Sequence, residues 1–198
     1  MICNLCPRRC NAERTETLGT GFCQMPTTPH IARAALHHWE EPVISGTQGS
    51  GAVFFSGCAL RCVFCQNHEI STDCFGEAVS VARLREIYAE LIAQGAHNIN
   101  LVTASHFAPW VVQSLSPALP VPVVWNCGGY ESAEILSMLA GKVQVYLPDL
   151  KYADNDLAAK LSAAPDYFEV ATAAIEEMYR QVGDCVIEDG LLKRGVVI

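Results

Sequence analysis

An apolar run of strand length, Ala52-Val53-Phe54-Phe55-Ser56, passes straight into Gly57-Cys58-Ala59-Leu60-Arg61-Cys62-Val63-Phe64-Cys65-Gln66-Asn67. The run predicts a buried β-strand, so three thiols spaced C-x3-C-x2-C sit on a loop at the C-terminal end of that strand. Two metal readings of the loop stay open. Three thiolates on one short loop can hold three irons of a cubane 4Fe-4S cluster and leave the fourth iron without a protein ligand. An open coordination position of this kind marks a chemical role, whereas structural sites are closed. Alternatively His68 completes a C-x3-C-x2-C-x2-H zinc set, because cysteine spacing underdetermines the metal.

The remaining cysteines and the charge narrow the setting. The chain has 198 residues, 51% of them apolar, enough to bury a real core in one domain or slightly more. No stretch reaches the roughly eighteen apolar residues of a membrane span, and Met1-Ile2-Cys3-Asn4 does not open a basic and then apolar signal. Ten cysteines without such a signal point to a reducing cytoplasm and to metal ligation rather than disulfides. A formal net charge of -8 argues against a nucleic-acid groove, which needs a phosphate-neutralising basic surface.

Residues 1–49 read as a small cysteine-rich segment with little periodicity, joined by Gly46-Thr47-Gln48-Gly49-Ser50-Gly51 to the rest. From residue 50 to 198 strands and helices alternate. Asn98–Thr103, Val121–Cys127 and Val143–Leu147 are strand candidates. Val81, Leu84, Ile87, Tyr88, Leu91 and Ile92 mark one apolar helix face, and Ile135, Leu136 and Leu139 another. A longer helix from near Pro165 carries Phe168, Ala171, Ile175, Met178 and Val182 at alternating steps of three and four. Asp184–Leu192 reads as a hairpin around Asp189-Gly190, and Gly195–Ile198 begins a further strand. Alternation of this kind implies parallel strands with right-handed crossovers. The expected fold is therefore α/β, an open, partial (β/α) barrel with its active site on the loops after the strands.

Four cysteines, Cys3, Cys6, Cys10 and Cys23, lie in the N-terminal segment and most simply close a tetrahedral site. Structural zinc and an auxiliary 4Fe-4S cluster are both reasonable there, and Arg8 and Arg9 are placed to offset thiolate charge. Cys74, Cys127 and Cys185 are isolated and read as packing residues.

The cysteine loop, with an aromatic residue just before its third thiol, resembles the signature of the radical S-adenosylmethionine (SAM) superfamily. Later strand ends extend the likeness to glycyl-radical-enzyme activases of the pyruvate formate-lyase activating enzyme type. Val102-Thr103-Ala104-Ser105 is similar to their V-T-A-S stretch, although His106-Phe107-Ala108 stands in place of their G-G-E. Val124-Trp125-Asn126-Cys127-Gly128-Gly129 is similar to their L-D-T-N-G-F segment, and Asp149-Leu150-Lys151 matches their D-L-K. The opening Cys3-Asn4-Leu5-Cys6-Pro7-Arg8-Arg9-Cys10 resembles an activase-like subgroup.

That resemblance implies a 4Fe-4S cluster on Cys58, Cys62 and Cys65, with SAM on its open iron. It implies SAM contacts from Phe64, Ser105, Asn126, Asp149 and Lys151, and close backbone approach to a ligand at Gly128-Gly129. His106 stands between a functional and a packed role. The implied reaction is reductive cleavage of SAM to methionine and a 5'-deoxyadenosyl radical, followed by hydrogen abstraction, with a glycyl radical enzyme or other protein as substrate. No side chain is assigned as a catalytic acid or base, and a flavodoxin- or ferredoxin-type electron donor is implied. The rival reading is a noncatalytic zinc-binding or iron-sulfur electron-transfer module. Activases of this type build six strands, so the chain is expected to be cut off near a fifth strand, as part of a longer protein or one completed by a partner.

Overall fold

The computed structural model describes residues 1–198. In chain order the elements are β1 (Ile2–Cys3), β2 (Ala12–Glu13), β3 (His30–His37), α1 (Pro42–Ser45), β4 (Ser50–Phe55), α2 (His68–Ser71), β5 (Glu77–Ala78) and α3 (Val81–Ala93). There follow β6 (Ile99–Val102), α4 (Ala108–Ser114), β7 (Val123–Cys127), α5 (Ala133–Leu139), β8 (Val145–Pro148), α6 (Asn155–Ser162), α7 (Tyr167–Val182), β9 (Val186–Glu188) and β10 (Leu191–Val196). Strands β1 and β2 form a separate antiparallel pair. The other eight form one sheet in the order β5-β3-β4-β6-β7-β8-β10-β9. The five central strands, β4, β6, β7, β8 and β10, run parallel, and antiparallel strands flank them at both ends. The protein is thus α/β with a mostly parallel sheet. None of its helices is long and apolar enough to cross a membrane.

Register sorts the strand residues onto two faces. Val53, Leu101, Trp125 and Tyr146 align across β4, β6, β7 and β8 and are buried in the main core with residues of α3, α4, α5 and α7. On the opposite face Ala52, Asn100, Val124 and Val145 align. There Ile44 of α1 packs with Val124, Val145 and Leu192, closing this face near the N-terminal strand ends. Asn98 holds α1 down, its Nδ2 donating to Ile44 O at 2.7 Å while its Oδ1 accepts from Ser50 Oγ at 2.6 Å. The crossover helices start where local chemistry dictates: Ser80, Ser132 and Asp154 cap α3, α5 and α6 with side-chain oxygens on backbone N–H groups.

Three details differ from the sequence reading. Residues 30–37, expected to be irregular, form a strand of the main sheet, antiparallel to β4. Its pattern is only half-buried, which hid it from a search for apolar alternation. The hairpin around Asp189-Gly190 is present, but its second limb and the supposed next strand are one element: β10 pairs with β9 along its start and with β8 through Gly195 and Val196. In α7 the buried face is Tyr167, Ala171, Ala174, Met178 and Val182, so the expected Phe168 and Ile175 lie beside it rather than on it.

Candidate functional site

A cavity of about 680 Å³ opens at the C-terminal ends of the parallel strands, where ligands bind in open α/β sheets. The sulfur-bearing residues Cys58, Cys62 and Cys65 line it, together with Phe64, Asn126, Asp149 and Lys151. Seven of the eight residues expected around the cluster therefore share one cavity although they come from three strand ends.

Local geometry presents the thiols. Arg61 adopts φ 51°, a left-handed turn inside the loop, and Leu60 N–H donates to Cys58 Sγ at 3.3 Å. Ser162 at the end of α6 donates to Cys62 Sγ at 2.9 Å, itself held by Tyr152 at 2.6 Å. Burial pushes the Cys58 thiol above its ordinary value, with backbone N–H groups of Arg61 and Leu60 pulling the other way. His68 does not join: it is exposed and turned to Asp73, 3.3 Å away. No three or more His, Cys, Asp or Glu side chains converge on a position for a single ion.

At the other strand ends, Lys151 Nζ lies 2.5 Å from Asp149 Oδ2. Burial pulls the Lys151 ammonium down, but Asp149 and the nearby Cys62 and Cys58 raise it overall, so the amine stays charged. Tyr167 of α7 fixes this end: its hydroxyl bonds Gly128 O at 2.8 Å and Asp149 O at 3.0 Å, and accepts from Lys151 N–H at 2.9 Å. Thr103 also lines the cavity, at φ 54°, a strained conformation for a β-branched residue.

Other expectations land elsewhere. Ser105 is buried outside the cavity lining, its hydroxyl donated to Glu131 Oε1. Glu131 is 3% exposed. Burial raises its carboxyl to about 7, against the hydrogen bond from Ser105 and the pull of the neighbouring Cys127 and Trp125. His106 is a packed histidine: its ring bonds Ser56 O at 2.7 Å, and burial lowers it to about 3. The two glycines serve packing. A Cβ on Gly128 would meet Leu60 Cδ1 at 2.6 Å, and Gly129, at φ 76°, approaches Asp149 O too closely for any side chain.

No family model matches the chain. It is 31% identical over 179 residues to the uncharacterized protein MJ0674 of Methanocaldococcus jannaschii, an alignment covering 85% of this chain and 51% of that protein. The chain thus spans about half the length of this relative.

The N-terminal cysteines form a second group. Cys3, Cys6 and Cys23 are buried and Cys10 is exposed, and all four lie close enough for the charge on one to raise another. Burial pushes the Cys6 thiol up to about 12. The cation beside this group is Arg14, not Arg8 or Arg9. Arg14 is 1% exposed, donates to Cys3 Sγ at 3.5 Å and to His106 O at 2.8 Å, and has no carboxylate partner. Arg9 instead pairs with Glu134 at the surface. Arg8 reaches across to the three-cysteine loop, with Nε on Ala59 O and Nη2 on Ser162 O, both at 2.6 Å. Arg14 also donates to Pro26 O and lies over the Phe107 and Trp110 rings, so carbonyls and aromatic faces surround the guanidinium beside the thiols.

Proposed function

We propose that this chain is a radical SAM protein of the glycyl-radical-enzyme activase type, its sheet the partial barrel of that superfamily. The observation that carries the reading is the single cavity lined by Cys58, Cys62, Cys65, Phe64, Asn126, Asp149 and Lys151. The residues fit the group. Three thiols stand on one loop and His68 is turned away to Asp73, so the fourth ligand of a closed zinc set is not in place, whereas a cubane takes three thiolates and leaves one iron open. Cys58, Cys62 and Cys65 would hold a 4Fe-4S cluster. When bound together, the cluster and SAM supply a one-electron reductive cleavage of the sulfonium and, from it, hydrogen abstraction.

The chain's own residues bind and orient. Lys151, charged and braced by Asp149 and Tyr167, offers a cation for the carboxylate of SAM. Phe64, 57% exposed at the cavity wall, offers a face for an adenine ring. Gly128 lets Leu60 and the β7 end pack close, keeping the loop against the β7 and β8 strand ends. A glycine of a partner enzyme as substrate and a flavodoxin- or ferredoxin-type donor belong to the same proposal.

Anaerobic purification tests it. Brown protein with about four irons for the three-cysteine loop, releasing 5'-deoxyadenosine from SAM when reduced, is the expected result. Replacing Cys58, Cys62 or Cys65 with alanine should abolish that release. Colourless protein carrying stoichiometric zinc, or release that survives loss of all three thiols, would sink the reading.

A further inference from the structure

Glu40 enters the same cavity from the segment between β3 and α1. Its Oε2 accepts from Asn100 Nδ2 at 3.0 Å and from Asn126 Nδ2 at 3.1 Å, two amides on adjacent parallel strands. Both asparagines stand on the sheet face opposite the main core, because Asn100 aligns with Val124 and Asn126 with Leu147. The carboxylate is thus fixed by one oxygen, and no basic side chain lies within ion-pairing distance of it, although Arg33 and His37 of β3 line the same cavity. Asn100 is fully buried and does not line the cavity, so its part is to hold Glu40 from beneath. Next to Glu40, Trp39 is 89% exposed and also lines the cavity.

A carboxylate with no basic partner and an exposed indole face beside it are both complementary to N–H groups that carry positive charge. We propose that Glu40 and Trp39, with the Glu40 carboxylate held in place by Asn100 and Asn126, form a binding site for a protonated nitrogen of the substrate, an amine or a guanidine, on the strand face beside the cysteine loop. This rests on the radical SAM reading only for the word substrate; the cation site itself does not need it. Asn126 is then a shared brace between the two parts of the cavity.

The test is isothermal titration calorimetry on the full chain as purified, with methylguanidinium and n-butylammonium chloride as probes. N-methylurea and butyrate serve as neutral and anionic counterparts. The cations should bind and N-methylurea and butyrate should not, and Glu40→Gln should weaken the cations at least tenfold. Glutamine keeps an oxygen for the two asparagine amides, so the variant should melt where the wild type does; if it does not fold, the charge series on the wild type decides alone. Equal binding of N-methylurea, preference for butyrate, or cation binding unchanged in Glu40→Gln would overturn the site. Because SAM is itself a cation, the titration is repeated at saturating SAM. Retained probe binding supports a separate substrate site, whereas loss of it reassigns Glu40 to SAM and overturns the substrate assignment. If the cations bind through Glu40 but no deoxyadenosine is ever released, the radical SAM reading fails and the cation site stands.

Discussion

Two buried titratable residues, His106 beyond the end of β6 and Glu131 beyond the end of β7, work against each other as pH changes. Glu131 has an ordinary value of 4.5 and about 7 in the fold, so between these values the folded chain binds the extra proton. Its contribution is fully present below pH 4.5 and is lost as pH rises to 7, on the order of 3 kcal/mol at 1.36 kcal/mol per unit. His106 moves from 6.5 to about 3, so its contribution is present above pH 6.5 and is lost as pH falls toward 3. From 4.5 to 6.5 the slopes oppose. Glu131→Gln should remove one of them: urea midpoints of the variant should rise relative to wild type as pH goes from 4.5 to 7, and the difference should be flat outside that window. Parallel curves would show that Glu131 stays ionised in the fold. The Cys58, Cys62 and Cys65 loop was legible because its spacing and its strand are contiguous in sequence. Glu131 and Arg14 were not, since what makes each unusual is a pair of neighbours, Ser105 and Cys127 or Cys3 and His106, brought there by strand order and chain return.

At the scale of elements, the strand ends are held by a helix that follows them in sequence. Tyr167 opens α7 and ties β7 to β8 through three backbone groups, so Tyr167→Phe leaves the Lys151 N–H and two carbonyls without that partner. It should cost about 1–3 kcal/mol in chemical denaturation and raise the KM for SAM more than it lowers kcat, because it disturbs position and not charge. Ile44→Ala, in the plug at the other end of the sheet, should cost about 2–5 kcal/mol through the cavity it opens while leaving metal content unchanged. Apolar runs of strand length gave away β4, β6, β7 and β8, and apolar helix faces gave away α3 and α5. Helices α4 and α6, at 7 and 8 residues, are too short to repeat an apolar face, although Asp154 was an available N-cap signal for α6. The buried face of α7 was misplaced because Ala174 and Tyr167, rather than the larger-looking Phe168 and Ile175, meet the core.

Across the whole molecule, the N-terminal residues are fastened to the sheet domain rather than hung from it. Arg8 bonds the carbonyls of Ser162 and Ala163 that close α6, where a cation suits the helix end, and stacks over Phe22 at 4.0 Å. Ser132 Oγ bonds Leu5 O at 2.6 Å. On the proposal that Cys3, Cys6, Cys10 and Cys23 bind a metal, replacing them or adding a chelator should raise hydrogen exchange over residues 1–29 and leave β3 protected, because β3 is paired on both sides in the main sheet. Unchanged protection of residues 1–29 would show that packing alone holds them. The walls between the two thiol groups are shared: Gly57, just before Cys58, has room for no side chain because Cys23 O and Met25 press on it, and Arg61 reaches Phe22 O at 3.3 Å. Such contact carries a thermodynamic obligation. If both groups take metal as proposed, whatever factor filling the first adds to affinity at the second, filling the second returns to the first, so the two loadings are reciprocal, and the order in which they occur cannot change the total.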